Sequence, residues 1–434
     1  PPDIDPLSFP PVGRELAGQL LKCESQALIL FNAVDLTNVP LSKKKHLYYQ
    51  HVRYWHGLFK QLKPDALLFG DIPHSTYQYV AYCVAKLFGI KTIMFRNIQI
   101  PGRLLFFDEI EDYTRVREEY EKTKNKNIAV QDLSPDVKIF YETQTSQSAE
   151  PTLFYMKKDF IDEFSTSYPL PRARVLLKNI VRGTFIKTVL GYMAMFLIKR
   201  RVESIEHFER RGISIKLNEL EWDKTKRGFR REYAAVASQA DFSKKFVYVP
   251  LTNQPECSTN PMGDIFVDQA LMVEILSHTL PKNWVLYVKE SALQFSAPRT
   301  QTGRYKDYYK NLSRLQNVRF VPTQTSTFEL IKKAQAVATV TSTAGWEALL
   351  RSKPVLLFGN TWYAYCDGVL RVADTESASA AFEKIKSGYI PDKQKVLNFL
   401  GVIDRLSVRG FLNPRFKREQ GLEFTNEENA ETVA

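Results

Sequence analysis

The sequence lacks the residue patterns that mark metal clusters, disulfide frameworks and membrane-spanning helices. Its 434 residues include only four cysteines, which are far apart and form no CxxC pair. A zinc knuckle is therefore excluded, and a reducing compartment is expected. The best candidate for a membrane span, residues 188–198, is shorter than the roughly 20 residues that cross a bilayer. No Walker loop, HExxH motif or signal peptide is recognisable, and the single DxD match lies in a proline-rich start. We therefore expect no cofactor, no metal ion and a cytoplasmic location.

Positive charge is in excess, since 60 Lys and Arg residues face 48 Asp and Glu residues for a formal net charge of +12. Such an excess attracts phosphates, whether of nucleic acids, lipids or nucleotides. No zinc finger, arginine-rich tail or recognition helix is present, so we expect no nucleic-acid partner. Basic residues cluster in segment 172–201, which predicts attachment to the anionic inner face of the cytoplasmic membrane. A buried helix with solvated basic ends is the alternative.

The first half alternates between strand and helix patterns, and the hydrophobic fraction of 44% excludes a disordered chain. The predicted strands are 27–31, 66–69 and 91–95, and the predicted helices are 43–62 and 76–88. The strand at 66–69 is apolar throughout, as in a strand buried on both faces. Strands joined through helices in this way predict a parallel sheet.

The second half alternates more regularly, with predicted strands at 246–250, 284–289, 318–321, 336–341 and 355–358. The predicted helices are 265–280, 304–315, 328–334 and 344–350. This pattern is typical of a doubly wound domain. We therefore predict an α/β fold with two Rossmann-like domains and helical insertions, in the arrangement called GT-B. The predicted boundaries are 1–243 for the first domain, 244–390 for the second and 391–434 for a helical tail.

A long polar turn follows the strand at 246–250 and contains Gln254, Glu256 and Asp264. In open parallel sheets, ligands bind beyond the carboxyl ends of the strands. Ordinary turn chemistry explains the Asn, Pro, Gly, Ser and Thr residues of this segment, but it does not explain Glu256. We expect Glu256 to act as a general base or as a nucleophile.

Two further strand ends carry polar side chains. Lys289 and Glu290 are placed to neutralise a phosphate and to accept a ribose hydroxyl, although a surface ion pair is the commoner role of such a dipeptide. Asp71 and His74 follow the strand at 66–69 and are candidates to bind an acceptor or to move a proton. An aspartate after a strand is also a common helix cap.

Three consecutive hydroxyl residues precede the predicted helix at 344–350. The residues of this candidate phosphate site are Thr341, Ser342, Thr343, Gly345 and Glu347. Free N–H groups at the start of a helix bind phosphate, and the glycine leaves room for close approach. Capping of the helix explains one hydroxyl but not three. Tyr363, at the next strand end, is placed either to stack on a base or sugar or to close the core.

Several short motifs keep their order and spacing over residues 246–372. They are Tyr248-Val-Pro-Leu, Gln254-Pro-Glu256, Phe266-Val-Asp268-Gln269, Val288-Lys289-Glu290, Thr343-Ala-Gly-Trp-Glu347-Ala, Lys353-Pro-Val-Leu and Phe358-Gly-Asn-Thr-Trp-Tyr363. In these motifs the chain resembles the capsule polysaccharide biosynthesis family, whose members include β-Kdo transferases of capsule and O-antigen assembly. The first half matches only loosely, around residues 71–74 and 100–102.

The resemblance implies a glycosyltransferase that uses CMP-Kdo as its donor and a surface glycan or glycolipid as its acceptor. The matching nucleotide positions are Lys289, Glu290, Thr341, Ser342, Thr343 and Glu347. For members that build β-Kdo, it also implies retention of configuration, which a carboxylate can achieve through a covalent sugar adduct. Glu256 is the first choice for that carboxylate, with Asp264 and Asp268 behind it.

The chain departs from the family pattern at two places. Ser291-Ala292 replaces an expected His-Pro, and Ser342 stands where glycine is common. The first departure removes an expected contact to phosphate or carboxylate, for which Lys289 or Arg299 would have to substitute. A transferase or epimerase that uses a UDP-sugar therefore stays an alternative, as does a non-catalytic protein that binds polysaccharide or couples it to export.

Overall fold

The computed structural model describes residues 4–35, 39–110, 113–146, 214–256, 258–296, 300–412, 417 and 420–433. The basic segment 172–201 and Arg299 lie outside these ranges, so their predicted roles are untested. The strands are β1 (Ala66–Phe69), β2 (Lys91–Asn97), β3 (Arg103–Phe107), β4 (Phe246–Pro250), β5 (Val285–Lys289), β6 (Val318–Phe320), β7 (Ala336–Thr339), β8 (Val355–Leu357), β9 (Val369–Arg371) and β10 (Val408–Arg409). They form one sheet of four strands and one of six.

Helices connect most of these strands, so the predicted α/β class is confirmed. They are α1 (Arg14–Gln19), α2 (Leu21–Val34), α3 (Leu41–Leu62), α4 (Thr76–Leu87), α5 (Thr114–Thr123), α6 (Pro135–Thr145), α7 (Ser214–Val236), α8 (Gln269–Thr279), α9 (Tyr308–Ser313), α10 (Thr327–Lys333), α11 (Thr343–Leu350), α12 (Thr375–Lys386), α13 (Lys393–Leu406) and α14 (Asn426–Val433). Of the helices in the described ranges, not one is both long and apolar enough to cross a membrane.

The six-stranded sheet is parallel throughout and has the order β6-β5-β4-β7-β8-β9. The chain proceeds outward from β4 to β6, returns to β7 and then proceeds in the other direction. This is the order of the doubly wound dinucleotide-binding sheet, with its topological switch between β4 and β7. Buried Val, Leu, Tyr and Ala residues fill the central strands, as expected for strands covered on both faces.

The four-stranded sheet differs from the predicted parallel sheet. β1 and β2 are parallel, but β2 pairs antiparallel with β3, and β3 pairs antiparallel with β10. A short turn at residues 98–102 joins β2 to β3 and therefore reverses the chain direction. β1 lies at the edge of the sheet, and its residues are mostly exposed rather than buried on both faces.

Three secondary-structure predictions are corrected. Residues 27–31 belong to helix α2, where Cys23, Ala27 and Leu30 are buried at helical spacing. The helix predicted at 304–315 is only α9, because Asp307, with φ of 64°, has a left-handed backbone just before it. Strand β9 was not predicted, since its three residues are only partly buried and follow no apolar alternation.

Helix α7 packs with the second sheet, although the predicted boundary assigns it to the first domain. Its Phe229 and Tyr233 are buried in the core around that sheet. The Tyr233 hydroxyl donates to the carbonyl of Val321, directly after β6. Residue Ala237, just beyond the helix, bridges to Phe320.

The end of the described chain crosses back to the first half. Helix α13 packs against α5, where the rings of Tyr120 and Phe399 meet edge to face at 5.1 Å between centroids. Strand β10 then pairs with β3. At this edge the buried Arg103 binds Asp136 of α6 (2.7 Å) and Asp404 of α13 (3.1 Å). The first sheet is therefore completed by residues from the far end of the sequence.

Truncation of Phe399 should destabilise the protein, because this fully buried ring joins α13 to α5 and to Trp362. We expect Phe399→Ala to lower the free energy of unfolding by about 3–5 kcal/mol, as for other buried aromatic truncations. The matched control is Ile390→Ala at a residue 67% exposed, which should change stability by less than about 0.5 kcal/mol. Equilibrium urea unfolding followed by tryptophan fluorescence measures both. Equal losses in the two variants would contradict this packing.

Candidate functional site

The carboxyl ends of β4 and β7 flank the topological switch of the six-stranded sheet. This crevice is where ligands bind in open α/β sheets. The polar turn at residues 251–264 follows β4, and Thr341, Ser342 and the start of α11 follow β7. The topology therefore brings the two predicted polar segments to one edge of the sheet.

The polar turn is held tightly between the two halves of the chain. The Met262 carbonyl accepts a hydrogen bond from the Asn360 N–H at 2.9 Å, and Asn260 accepts one from the side chain of Gln26 in α2. A Cβ atom on Gly263 would lie 2.6 Å from the Thr259 carbonyl oxygen, so only glycine fits there. The turn is thus fixed against both sheets rather than free in solvent.

Glu256 lies in this turn with part of the residue still open to solvent. Burial of its carboxyl raises the pKa above the ordinary range, while the Ser258 hydroxyl and the positive charge of Arg96 act to lower that pKa. Arg96 belongs to β2, in the other half of the chain. Glu256 is therefore a partly desolvated carboxyl on which a buried cation acts electrostatically.

Asp71 and His74 lie close together after β1. The Ile72 N–H donates to Asp71 Oδ1 at 2.7 Å, and His74 Nδ1 lies 2.7 Å from the Ile72 carbonyl oxygen. Burial raises the pKa of Asp71, against the lowering effects of that backbone N–H, His74 and Arg96. A carboxyl with a raised pKa is suited to accept a proton near neutral pH.

Arg96 is a site residue that sequence reasoning missed. It is 8% exposed and influences both Asp71 and Glu256 electrostatically. Its guanidinium also contacts the sulfur of Met262 in the polar turn. The available signal was a single arginine that interrupts the apolar run at residues 93–98, because a cation in a buried strand is rarely placed there without a partner. The positive charge of Arg96 thus acts on two carboxyls, one from each half of the chain.

The start of α11 is capped as an ordinary helix. Ser342 Oγ accepts from the Ala344 N–H at 3.3 Å, and the Ser342 N–H donates to Thr339 Oγ1 at 3.0 Å. A Cβ atom on Gly345 would lie 2.4 Å from the Tyr363 hydroxyl oxygen, so Tyr363 already fills the space predicted for a ligand. Tyr363 itself is 0% exposed and donates to the Ser342 carbonyl. Its ring therefore closes the core and presents no face to a base.

Thr341 is the residue of this segment that points most clearly to a ligand. Its hydroxyl oxygen is buried and forms no hydrogen bond, and the same holds for Thr361 Oγ1 and Asn360 Oδ1 after β8. A buried polar atom without a partner costs roughly 1–3 kcal/mol, so native structures rarely leave several together. Thr343 and Glu347 lie half-buried on the first turns of α11. Polar atoms of a bound molecule would give these buried oxygens the hydrogen bonds that they lack.

Glu290 is part of a buried ion pair rather than a ribose-binding group. Its carboxylate is 0% exposed and accepts from Arg304 Nε at 2.9 Å, from Tyr309 Oη at 2.7 Å and from the Ser291 N–H at 2.8 Å. Its predicted surface partner, Lys289, instead donates to the Thr325 carbonyl (2.6 Å) and to Thr327 Oγ1 (2.7 Å). Both side chains are thus engaged within the protein. Arg304 was missed because it is fourteen positions away from Glu290.

Three other predicted side chains have structural roles or lie in solvent. Gln254 is buried and donates to Thr259 within the turn. Asp268 caps α8 by accepting from the Ala270 N–H at 3.2 Å. Asp264 is exposed, with φ of 49°. Glu256 is therefore the carboxylate of this turn whose surroundings differ most from those of a cap or a surface group.

The acidic and metal-ligating residues of the described ranges do not gather in a group of three or more that could hold a metal ion. Three cysteines, Cys23, Cys83 and Cys366, are free. The site is instead built from hydroxyls, amides, carboxyls and one buried guanidinium.

Removal of Glu290 should destabilise the protein, because Arg304 would be left buried and unpaired with its side chain 1% exposed. We expect Glu290→Ala to lower the free energy of unfolding by about 3–5 kcal/mol. The control is Glu383→Ala, which breaks an exposed pair with Lys386 and should cost less than about 1 kcal/mol. Both are measured by urea unfolding. If Glu290→Ala unfolds with the same free energy as the wild type, the structural role of Glu290 is wrong and a ligand-binding role becomes the better explanation.

Comparison with known families agrees with the motifs of the second half. A family model described as capsule polysaccharide biosynthesis protein matches residues 268–381. Protein FixF of Sinorhizobium fredii is 40% identical over 77 residues, which are 18% of this chain and 19% of that protein. A solved structure, the β-Kdo 2,7 transferase KpsC of Thermosulfurimonas dismutans, matches with 14% identity and a TM-score of 0.27 over 46% of this chain and 62% of that chain.

The chain spans less than two thirds of the length of these two proteins. The family match begins at the cap of α8 and ends within α12, so it covers the start of α11 and the buried Glu290 pair. Over residues 268–381, this protein matches the capsule polysaccharide biosynthesis family, as its motifs predicted.

Proposed function

We propose that this protein is a glycosyltransferase of bacterial surface-polysaccharide assembly that transfers Kdo from CMP-β-Kdo with retention of configuration. The observation that carries the proposal is the position of Glu256 in the turn after β4, at the switch of a doubly wound sheet, with Arg96 of β2 in contact with Met262 of the same turn. The family match over residues 268–381 supports the reaction class. The acceptor is a glycan or glycolipid, and the reaction uses no metal or cofactor.

The donor phosphate is expected beside Thr341 and Thr343, at the amino end of α11. The helix dipole favours an anion at such an end, although Ser342 Oγ already caps the Ala344 N–H. The buried hydroxyl of Thr341 lacks a hydrogen-bond partner and would gain one from a nucleotide. The Kdo carboxylate would lie toward the buried guanidinium of Arg96, which suits a planar carboxylate.

Glu256 acts as the nucleophile in this scheme. Its carboxylate oxygen bonds to the anomeric carbon while the bond from that carbon to the CMP phosphate breaks, and CMP leaves with the electron pair. An acceptor hydroxyl then attacks the same carbon and releases Glu256. The proton of that hydroxyl passes to Asp71, on which the same cation acts, or to His74 beside it. Two inversions give net retention.

The location follows from the substrate. Acceptors of this class are assembled at the inner face of the cytoplasmic membrane, and the basic segment 172–201 offers anionic lipid a partner. The protein is therefore proposed to be peripheral on that face.

Calorimetric titration with CMP, and in parallel with UDP, tests the donor without added metal. We expect CMP to bind at micromolar strength and UDP not to bind. Thr343→Val should weaken CMP about fivefold by removal of one hydrogen bond. Binding of UDP alone would favour the UDP-sugar alternative, and binding of neither would favour the non-catalytic one.

The transfer rate, measured beside CMP affinity, tests whether Glu256 acts in the reaction or only in binding. We expect Glu256→Gln to lower the transfer rate by at least about a thousandfold while CMP affinity stays unchanged, because the amide keeps the shape but cannot form the adduct. The control is Glu274→Gln, at an exposed carboxylate on α8. A near-normal rate in Glu256→Gln would remove this residue from the mechanism.

The pH profile tests Arg96. Transfer needs the ionised form of Glu256, so the rate should rise as pH passes its raised pKa. Arg96 lowers that pKa, so Arg96→Gln should move the acid limb of the kcat/KM profile to higher pH. Arg96→Lys should keep the limb nearer its original position. Arg314→Gln, at an exposed residue, is the control. If the acid limb of the profile stays in place in Arg96→Gln, the electrostatic effect of Arg96 on Glu256 is contradicted.

A further inference from the structure

A cavity lies away from the carboxyl edge of the six-stranded sheet. It has a volume of about 230 Å³ and is lined by residues of α6, α10, α11 and α13 and of the loop before β8. Lys353 of that loop comes just before the amino end of β8, whereas the candidate site lies beyond the opposite ends of the strands. The cavity is therefore distinct from the proposed donor site.

Four cationic side chains line this basic pocket: Lys332, Arg351, Lys353 and Lys393. No Asp or Glu is among the described residues that line the pocket, and none of the four cations forms an ion pair with another described residue. The nearest acidic influence is Glu347, which acts on the charge of Arg351. Burial lowers the pKa of Arg351 and that of Lys353. Cations gathered in excess of negative charge repel one another, and an anion would relieve that cost.

Two of the cations are held in place by neighbours. The Arg351 guanidinium lies 5.0 Å from the centroid of the Phe328 ring and donates to the Glu347 carbonyl at 2.8 Å. Lys353 Nζ donates to the Ala334 carbonyl at 2.9 Å. A held guanidinium loses little freedom when it binds two oxygens of one phosphate. Lys332 and Lys393 are exposed, and Lys332 Nζ lies 5.9 Å from the centroid of the same Phe328 ring.

We infer that the basic pocket binds a phosphate-bearing group, through Arg351 and Lys353 at its base and Lys332 and Lys393 at its rim. The cavity volume admits a diphosphate or a phosphorylated headgroup but not a whole nucleotide sugar. The ligand is a soluble phosphate ester or an anionic lipid headgroup, which share this chemistry. The inference does not depend on the proposed transferase activity.

Calorimetry of the full chain with inorganic pyrophosphate, and sedimentation with phosphatidylglycerol or phosphatidylcholine vesicles, test the pocket. The test variant is the double change Lys332→Gln and Lys393→Gln, at exposed positions where folding is unaffected. The matched control is Lys282→Gln with Lys310→Gln, which removes the same charge from exposed sites elsewhere. Arg351→Gln is a second variant, checked for folding by circular dichroism.

We expect the wild-type chain to bind pyrophosphate and each pocket variant to bind it about tenfold more weakly, with little change in the control. Loss of pyrophosphate binding with unchanged sedimentation on phosphatidylglycerol identifies a soluble ligand. Loss of sedimentation in the pocket variants, but not in the control, identifies a lipid headgroup. Equal effects in pocket and control variants, or no binding of either probe by the wild-type chain, would overturn the inference.

Discussion

The contact between the polar turn after β4 and the strand β2 joins the two sheets of this protein at its candidate site. Met262 of that turn touches Arg96 of β2 and accepts from the Asn360 N–H, while Asn260 accepts from Gln26. Gly263 allows the turn to pass close to its own backbone. Because these contacts are buried, the turn cannot move away from β2 without exposing unpaired polar groups.

The chemistry of the site follows from the same contact. Each half of the chain supplies one part of it: the second half supplies Glu256, and the first supplies Arg96 and Asp71. Burial raises the pKa of both carboxyls, and the guanidinium limits that rise. The second sheet alone would supply the polar edge at Thr341. It would not supply Arg96, the cation that acts electrostatically on Glu256. The site is therefore a property of the assembled halves, and so is the basic pocket, which α6 of the first half lines together with α10, α11 and α13.

The second sheet could be predicted from sequence because its strands are continuous apolar runs separated by clear helical patterns. The first sheet could not, since an apolar run such as residues 27–31 fits a buried helix as well as a strand, and β10 comes from a distant part of the chain. Glu256 stood out because turn chemistry does not explain it. The ion pair of Glu290 could not be predicted from its neighbours in sequence, because its partner Arg304 meets it only in the folded chain. Arg96 carried no motif at all.

The antiparallel pairing of β10 with β3 has a consequence for synthesis on the ribosome. Val408 is paired with Leu104, so the edge of the first sheet stays open while most of the protein is being made. An open strand edge with apolar neighbours is a site for pairing with other chains. β3 consists of Arg103-Leu-Leu-Phe-Phe107, which is almost wholly apolar. Nascent chains of this protein should therefore need protection by a chaperone until residue 409 has emerged, and slow translation of the second half would lengthen that period.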